Sequence, residues 1–165
     1  MLSSCFCDVK MPKIKRTPAG ETLTNLIPDL FALNGHLLAA GDRLVEPLGL
    51  TSARWQVLGA VVSADVPEPV SWLARRMGSS RQNIQRIAND LEAQGLVAFE
   101  SNPNHRRAPL VVLTDKGRTA FDTAMRLQAP WANRLAEGLS VADVEKVRQV
   151  VELLSSRLGA GDAAD

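Results

Sequence analysis

Arg81, Gln82, Asn83, Gln85, Arg86 and Asn89 carry forked hydrogen-bond donors and acceptors within one short stretch. Guanidinium and carboxamide groups make paired hydrogen bonds that match base edges in a major groove, and guanidinium also matches phosphate. Ser79 and Ser80 stand just ahead, and either hydroxyl can cap a helix that begins there. A second basic cluster follows: Ser101-Asn102-Pro103-Asn104-His105-Arg106-Arg107, a turn-forming run ending in two arginines. Nothing comparable supports catalysis. The chain has no tyrosine and two histidines, and neither His36 nor His105 has a nucleophile and an orienting carboxylate around it in sequence. It has no Gly-rich phosphate loop, and Cys5 and Cys7, one residue apart without a nearby histidine, make neither a disulfide pair nor a zinc signature. The expectation is therefore no catalytic residues, no metal and no cofactor.

These side chains need a rigid support, and the sequence around them supplies one. Ile84, Ile87, Ala88 and Leu91 recur at three- and four-residue spacing, which makes the stretch from Ser79 or Ser80 to Gly95 a helix with its polar side outward. Val70 to Met77 reads as a shorter helix, with Trp72 or Leu73, Ala74 and Met77 inward and Gly78 as its stop. After Gly95, Leu96 to Glu100 is a strand, and Leu110 to Leu113 returns as its partner. A helix, a tight turn, a second helix and a β-hairpin in succession describe a winged helix-turn-helix.

Upstream, Leu23 to Leu48 keeps helical apolar spacing with Thr24 or Asn25 as cap, which leaves Pro28 in the first turn. Thr51 caps a further helix through Trp55, Leu58, Val61 and Val62 that ends before Pro67-Glu68-Pro69. Trp55 is read as core rather than as the lining of a ligand cavity, and His36 as a packed or partly exposed side chain. Thr114 opens a long helix that Pro130 bends, Ser140 and Asp143 form a capping pair, and Val144, Val147, Val150, Val151, Leu154 and Leu158 make a closing apolar stripe. That stripe needs a partner surface, either on its own chain or on a second copy.

With 165 residues the chain fits one domain, and no apolar run is long enough to cross a membrane. Nineteen basic and eighteen acidic residues nearly cancel, so whole-chain charge selects no partner. Distribution is more telling: between Trp72 and Ala108 six arginines face three acidic residues. Residues 1–20 contain Lys10, Lys13, Lys15 and Arg16 and little periodicity, so they read as a flexible arm in which Met11 is a second candidate start. The arm lacks the apolar stretch and cleavage site of a secretory signal, which leaves a cytoplasmic location as the expectation.

Leu73-Ala74, the Ser-Arg-Gln-Asn-Ile-Gln-Arg run from Ser80, Leu91-Glu92 with Gly95-Leu96-Val97, Arg106-Arg107 and Leu113-Thr114-Asp115-Lys116-Gly117 together resemble the MarR family of bacterial transcription regulators. With Leu50-Thr51 and Trp55 to Leu58, the resemblance runs from about Leu23 to Leu158. It implies a mostly α fold with a small β-hairpin wing: a flexible arm at 1–20, a dimerisation helix at 21–49, a DNA-binding region at 50–113, dimerisation helices at 114–159 and a disordered tail at 160–165. It also implies a homodimeric regulator, usually a repressor, on a near-palindromic operator, released by a small-molecule effector or another signal. The DNA-binding residues would be Ser79, Ser80, Arg81, Gln82, Asn83, Gln85, Arg86, Arg106 and Arg107. The alternative is a winged helix that contacts protein, which an acidic or apolar outer face on the Arg81 helix would favour. Relatives that sense oxidants use a cysteine early in the first long helix, and 23–48 has none.

The wing departs from the family pattern. Relatives usually carry Asp-x-Arg there, the aspartate fixing an arginine that enters the minor groove, whereas this chain has His105-Arg106-Arg107. Arg107 matches the arginine, but a neutral imidazole cannot supply the ion pair, so the expectation is a wing less organised before DNA arrives. An imidazole near phosphates also gains a proton near neutral pH.

Overall fold

The computed structural model describes residues 15–161. Cys5, Cys7, Met11 and most of the basic arm lie outside them. Among these residues, six α-helices and three short strands follow in the order α1 (Pro18–Val45), α2 (Ser52–Val62), β1 (Glu68–Pro69), α3 (Val70–Arg76), α4 (Arg81–Ala93), β2 (Val97–Glu100), β3 (Leu110–Leu113), α5 (Asp115–Leu135) and α6 (Val141–Gly161), with a 3-10 turn at Glu46–Leu48 after α1. The chain divides after Leu37 into two units.

In the first unit the start of α1 differs from the sequence expectation. The helix begins at Pro18, before both Thr24 and Asn25 and inside the stretch read as arm. Thr17 is the physical reason: its Oγ1 accepts the Gly20 N–H at 3.1 Å, and Pro18 sits at the first helical position, where a missing N–H costs nothing. Pro28 consequently lies in the helix interior rather than in the first turn. There it withholds the N–H that would bond the Thr24 carbonyl. Leu26, Ile27, Phe31, Leu33 and Leu37 stand exposed along this helix.

The second unit has a continuous core. Val57 and Leu58 of α2, Leu73 and Ala74 of α3, Ile84, Ile87, Ala88 and Leu91 of α4, Val97 of β2 and Val111 of β3 are all buried. All four apolar positions read along α4 are therefore inward. Of the pair on α3, Leu73 is 1% exposed and Trp72 is 59% exposed. Trp55 is half-buried against this core and His36 is exposed.

Two glycines mark where elements approach too closely for a side chain. A Cβ at Gly41 would meet Ser52 Oγ at 2.3 Å, because the buried Ser52 donates its hydroxyl to the Leu38 carbonyl at 2.7 Å. A Cβ at Gly117 would meet the Leu96 carbonyl oxygen at 1.9 Å. Around Gly117, the Thr114 hydroxyl donates to the Gly95 carbonyl at 2.8 Å and accepts the Gly117 N–H at 3.0 Å, while Lys116 donates to the Gln94 carbonyl at 2.6 Å. The Thr-Asp-Lys-Gly run is thus a clasp that locks the start of α5 to the end of α4.

The wing is a three-stranded antiparallel sheet in the order β1-β3-β2, rather than the two-stranded hairpin expected. The extra strand is Glu68–Pro69, paired with Val111 and Leu110, in the segment where the sequence marks only the end of the preceding helix. Proline is compatible with that place because β1 is an edge strand with one unpaired side. Caps agree with the sequence elsewhere: Thr51, Ser80 and Thr114 each accept an N–H in the first turn of the helix they precede. Ser140 accepts the Asp143 N–H at 3.1 Å and donates to Asp143 Oδ2 at 2.6 Å. Pro130 lies inside α5, and α6 continues through Gly161, past the beginning of the segment read as tail. Val144, Val147, Val150, Val151 and Leu158 are exposed and Leu154 is half-buried. Among the described residues, no helix is long and apolar enough to cross a membrane.

Candidate nucleic-acid interface

α4 presents its polar side to solvent because its apolar side is used up in the core. Ser80 fixes where it starts, accepting the Asn83 N–H at 3.2 Å, and Gly78, at φ +59°, permits the turn from α3. Ser79 also serves the turn: its hydroxyl accepts from Asn83 Nδ2 at 3.2 Å. Arg81, Gln82, Gln85, Arg86 and Asn89 border a shallow groove of about 700 Å³ along the helix. Asn83 is exposed but does not border that groove, and its carbonyl oxygen accepts from Arg86 Nη2 at 3.2 Å.

The face is held by contacts among its own side chains and to α2. Gln85 Nε2 donates to Asn89 Oδ1 at 2.8 Å. Asp90 is shared by two arginines, Arg54 of α2 at 3.2 Å and Arg86 at 3.6 Å. Arg86 is the more exposed of the two, at 67% against 28% for the Arg54 side chain, so it can leave while Arg54 keeps the carboxylate compensated. Exposed ion pairs of this kind contribute about 1 kcal/mol or less, which makes the exchange inexpensive.

Of the six arginines counted in this region, Arg76 is not available. It faces back toward α2 and β1, donating to the Ala60 carbonyl and lying 3.1 Å from Glu68 Oε2. That ion pair falls outside hydrogen-bond alignment, so the buried Glu68 oxygen has charge as its partner. Charge counting along a sequence cannot separate such a brace from a free arginine.

The backbone of the wing tip is braced by an asparagine, whereas the family pattern has an aspartate that pairs with the arginine. Asn102 Nδ2 donates to the Ala108 carbonyl at 2.9 Å, its Oδ1 accepts the Asn104 N–H at 2.9 Å, and the Ala108 N–H donates to the His105 carbonyl at 3.0 Å. Asn102 fixes the backbone that carries His105, Arg106 and Arg107, while the three side chains stay exposed. Arg107 and Arg81 meet at a second cleft, between the start of α4 and the wing, with His105 and Trp72 beside them. Arg106 borders neither cleft. The sequence reading missed Trp72 as a surface residue and Asn102 as a brace; an Asn two residues before another turn residue is the signal that marks such a brace.

Among the described residues, no group of three histidines, cysteines or carboxylates is placed to hold a metal ion. The arrangement offers amide and guanidinium groups on a helix, flanked by a basic loop.

Comparison with known proteins gives this arrangement a setting. A family model described as MarR family matches residues 48–108. An uncharacterised protein of Mycobacterium tuberculosis is 37% identical over 128 residues, covering 78% of this chain and 88% of its own length. The transcriptional repressor MprA of Escherichia coli is 33% identical, covering 76% of this chain and 72% of its own length. CouR from Rhodococcus jostii, solved with p-coumaroyl-CoA bound, superimposes with a TM-score of 0.69 at 25% identity, covering 76% of this chain and 88% of that one.

Proposed function

Because the chain belongs to the MarR family of transcription regulators and has its winged-helix fold, we propose that it is a homodimeric, sequence-specific DNA-binding regulator. One observation carries the reading: α4 buries Ile84, Ile87, Ala88 and Leu91 and turns Arg81, Gln82, Gln85, Arg86 and Asn89 outward together. An outer face for protein contact would be apolar or acidic, and this one is neither. Affinity comes mainly from arginine and backbone contacts to phosphate, and sequence reading from Arg81, Gln82, Asn83, Gln85 and Arg86. Ser79 and Ser80 fix the register of the helix, and Arg106 and Arg107 reach DNA from the wing.

Residues 50–113 are the DNA-binding region in this proposal, and residues 21–49 and 114–159 form the dimer. The open apolar stripes of α1 and α6 support that division. Two such reading helices meet a near-palindromic operator at half-sites about 34 to 36 Å apart. Repression by promoter occlusion, in the cytoplasm, is the outcome that the resemblance to MprA supports. Release by a small-molecule effector is supported by the CouR complex, whose ligand belongs to that protein.

Selection of duplexes from a randomised pool by the full-length protein tests the reading. Recovery of a near-palindromic sequence, protected on one DNA face by a particle of twice the chain mass, is the expected result. No enriched sequence, or protection by a monomer, overturns it.

A further inference from the structure

Trp72 is exposed where the fold gives it nothing to do. The chain's other two tryptophans, Trp55 and Trp131, are half-buried, whereas Trp72 is 59% exposed and Val66 beside it 64%. Trp72, Val66 and Pro67 lie together beside basic side chains, and an exposed apolar patch rimmed by polar groups marks a contact surface. Trp72 and Val66 border the cleft of about 800 Å³ between the start of α4 and the wing, together with Pro67, Arg81, His105 and Arg107.

We propose that this cleft holds one sugar-phosphate strand of the bound duplex, the Trp72 indole lying on a deoxyribose between phosphates held by Arg81 and Arg107. The inference rests on the DNA-binding reading above and extends it. A major groove and the adjoining minor groove are separated by one backbone strand. If α4 enters the first groove and Arg107 the second, that strand passes through the space between them, and that space is this cleft. The first helix of a helix-turn-helix crosses the backbone, which is where α3 carries Trp72. The lining matches such a strand: Val66, Pro67 and Trp72 suit the C–H surface of a sugar, and the arginines suit the phosphates on either side of it. An indole has one donor and no acceptor, so it is poorly equipped to read a base edge and well equipped to cover a sugar.

The contact predicts a loss of affinity that ignores sequence. Trp72→Ala should weaken binding about tenfold, the order expected for leaving a large apolar side chain unburied, for the duplex selected by the parent protein and for a scrambled duplex alike. Trp72→Phe should recover most of the loss, and the melting temperature of both variants should match the parent, since the side chain is outside the core. A Trp55→Phe, Trp131→Phe protein leaves Trp72 as the sole indole, and adding the selected duplex should shield it from acrylamide quenching. If that double variant folds poorly, the Trp72→Ala titration in the otherwise intact chain still decides. Tight parental binding with unchanged affinity in Trp72→Ala overturns the inference and leaves the DNA reading intact. A loss confined to the selected sequence assigns Trp72 to a base, and shielding by protein concentration alone assigns the cleft to a protein contact; both also overturn it. If the parent selects no duplex, both readings fail together.

Discussion

α4 and α6 are both amphipathic helices, and the protein uses them in opposite ways. On α4 the apolar side is closed within the chain, with Ile84 and Leu91 at 1% and 0% exposure, and the polar side is left free. On α6 the polar groups satisfy one another, Arg148 bridging Glu145 at 2.7 Å and also contacting Glu152, while Val147 remains 62% exposed. The Arg148 hydrogen bond holds the Glu145 carboxyl below its ordinary range, a surface pairing that leaves the valines uncovered. A helix whose apolar side is satisfied is free to offer chemistry. One whose apolar side is open must still find a surface, which under the proposed function makes α4 the reading element and α6 the assembling one.

The most severe way to break the comparison is to remove the assembling element. Deleting everything after Ser140 should give aggregated or unfolded protein, because the surfaces that α6 covers in the dimer would be left in water. A soluble, stable monomer from this deletion would refute the interlocked arrangement. Within α6, Val147→Asp should shift the light-scattering mass from twice the chain mass toward the monomer. Next in size is the closed side of α4: Leu91→Ala removes a fully buried side chain and should cost about 2 to 5 kcal/mol of stability. Chemical denaturation measures this, and the mass should stay that of the dimer. A loss below about 1 kcal/mol would mean that α4 is not docked as described.

The two helices were also unequally legible in the sequence. Ile84, Ile87, Ala88 and Leu91 repeat on one side with caps at both ends, so the position and facing of α4 follow from local rules alone. The apolar stripe of α6 was equally plain, but which surface covers it is a property of an assembly and not of a period. Elsewhere the limits were local. Trp72 and Leu73 are adjacent, about 100° apart on a helix, and composition cannot say which points inward. Thr17, Thr24 and Asn25 are all acceptable caps, and apolar periodicity begins only at Leu23, so the start of α1 was set too late. β1 is two residues long and exists because β3 is there to pair with it. Arg76 looked like surface charge until Glu68 and the Ala60 carbonyl were in place, and Asn102 looked like an ordinary turn residue until the wing closed around it.

A smaller effect sharpens the other half of the comparison, the freedom of the polar side of α4. Arg86→Ala should cost about 1 to 3 kcal/mol of operator affinity if the guanidinium makes a paired contact with a base or phosphate. Folding stability should change little, because Arg54 at 3.2 Å continues to compensate Asp90. Gln85→Ala should change which base is preferred at one position of each half-site. Titrations against the selected duplex and its single-base variants measure both. Operator binding by Arg86→Ala as tight as the parent's would show that the reading side of α4 had been misplaced.

The smallest expected effect concerns the wing, where an imidazole stands in place of the family aspartate. His105 shares its cleft with Arg81 and Arg107. Phosphates of a bound duplex entering that cleft would favour a protonated imidazole, so the proposed binding would take up a proton. A reaction that takes up a proton is favoured as pH falls. Affinity should therefore rise between about pH 8 and pH 6, by less than about tenfold for one exposed group, and the rise should be smaller in His105→Asn. Arg107→Ala provides the contrast, because its charge is fixed: binding should weaken across many sequences, the salt slope should fall by about one, and part of the pH dependence should remain. Measured at constant ionic strength, the same pH dependence in parent and His105→Asn would make His105 an ordinary loop side chain. It would leave the wing's contribution to its two arginines and to the Asn102 brace that presents them.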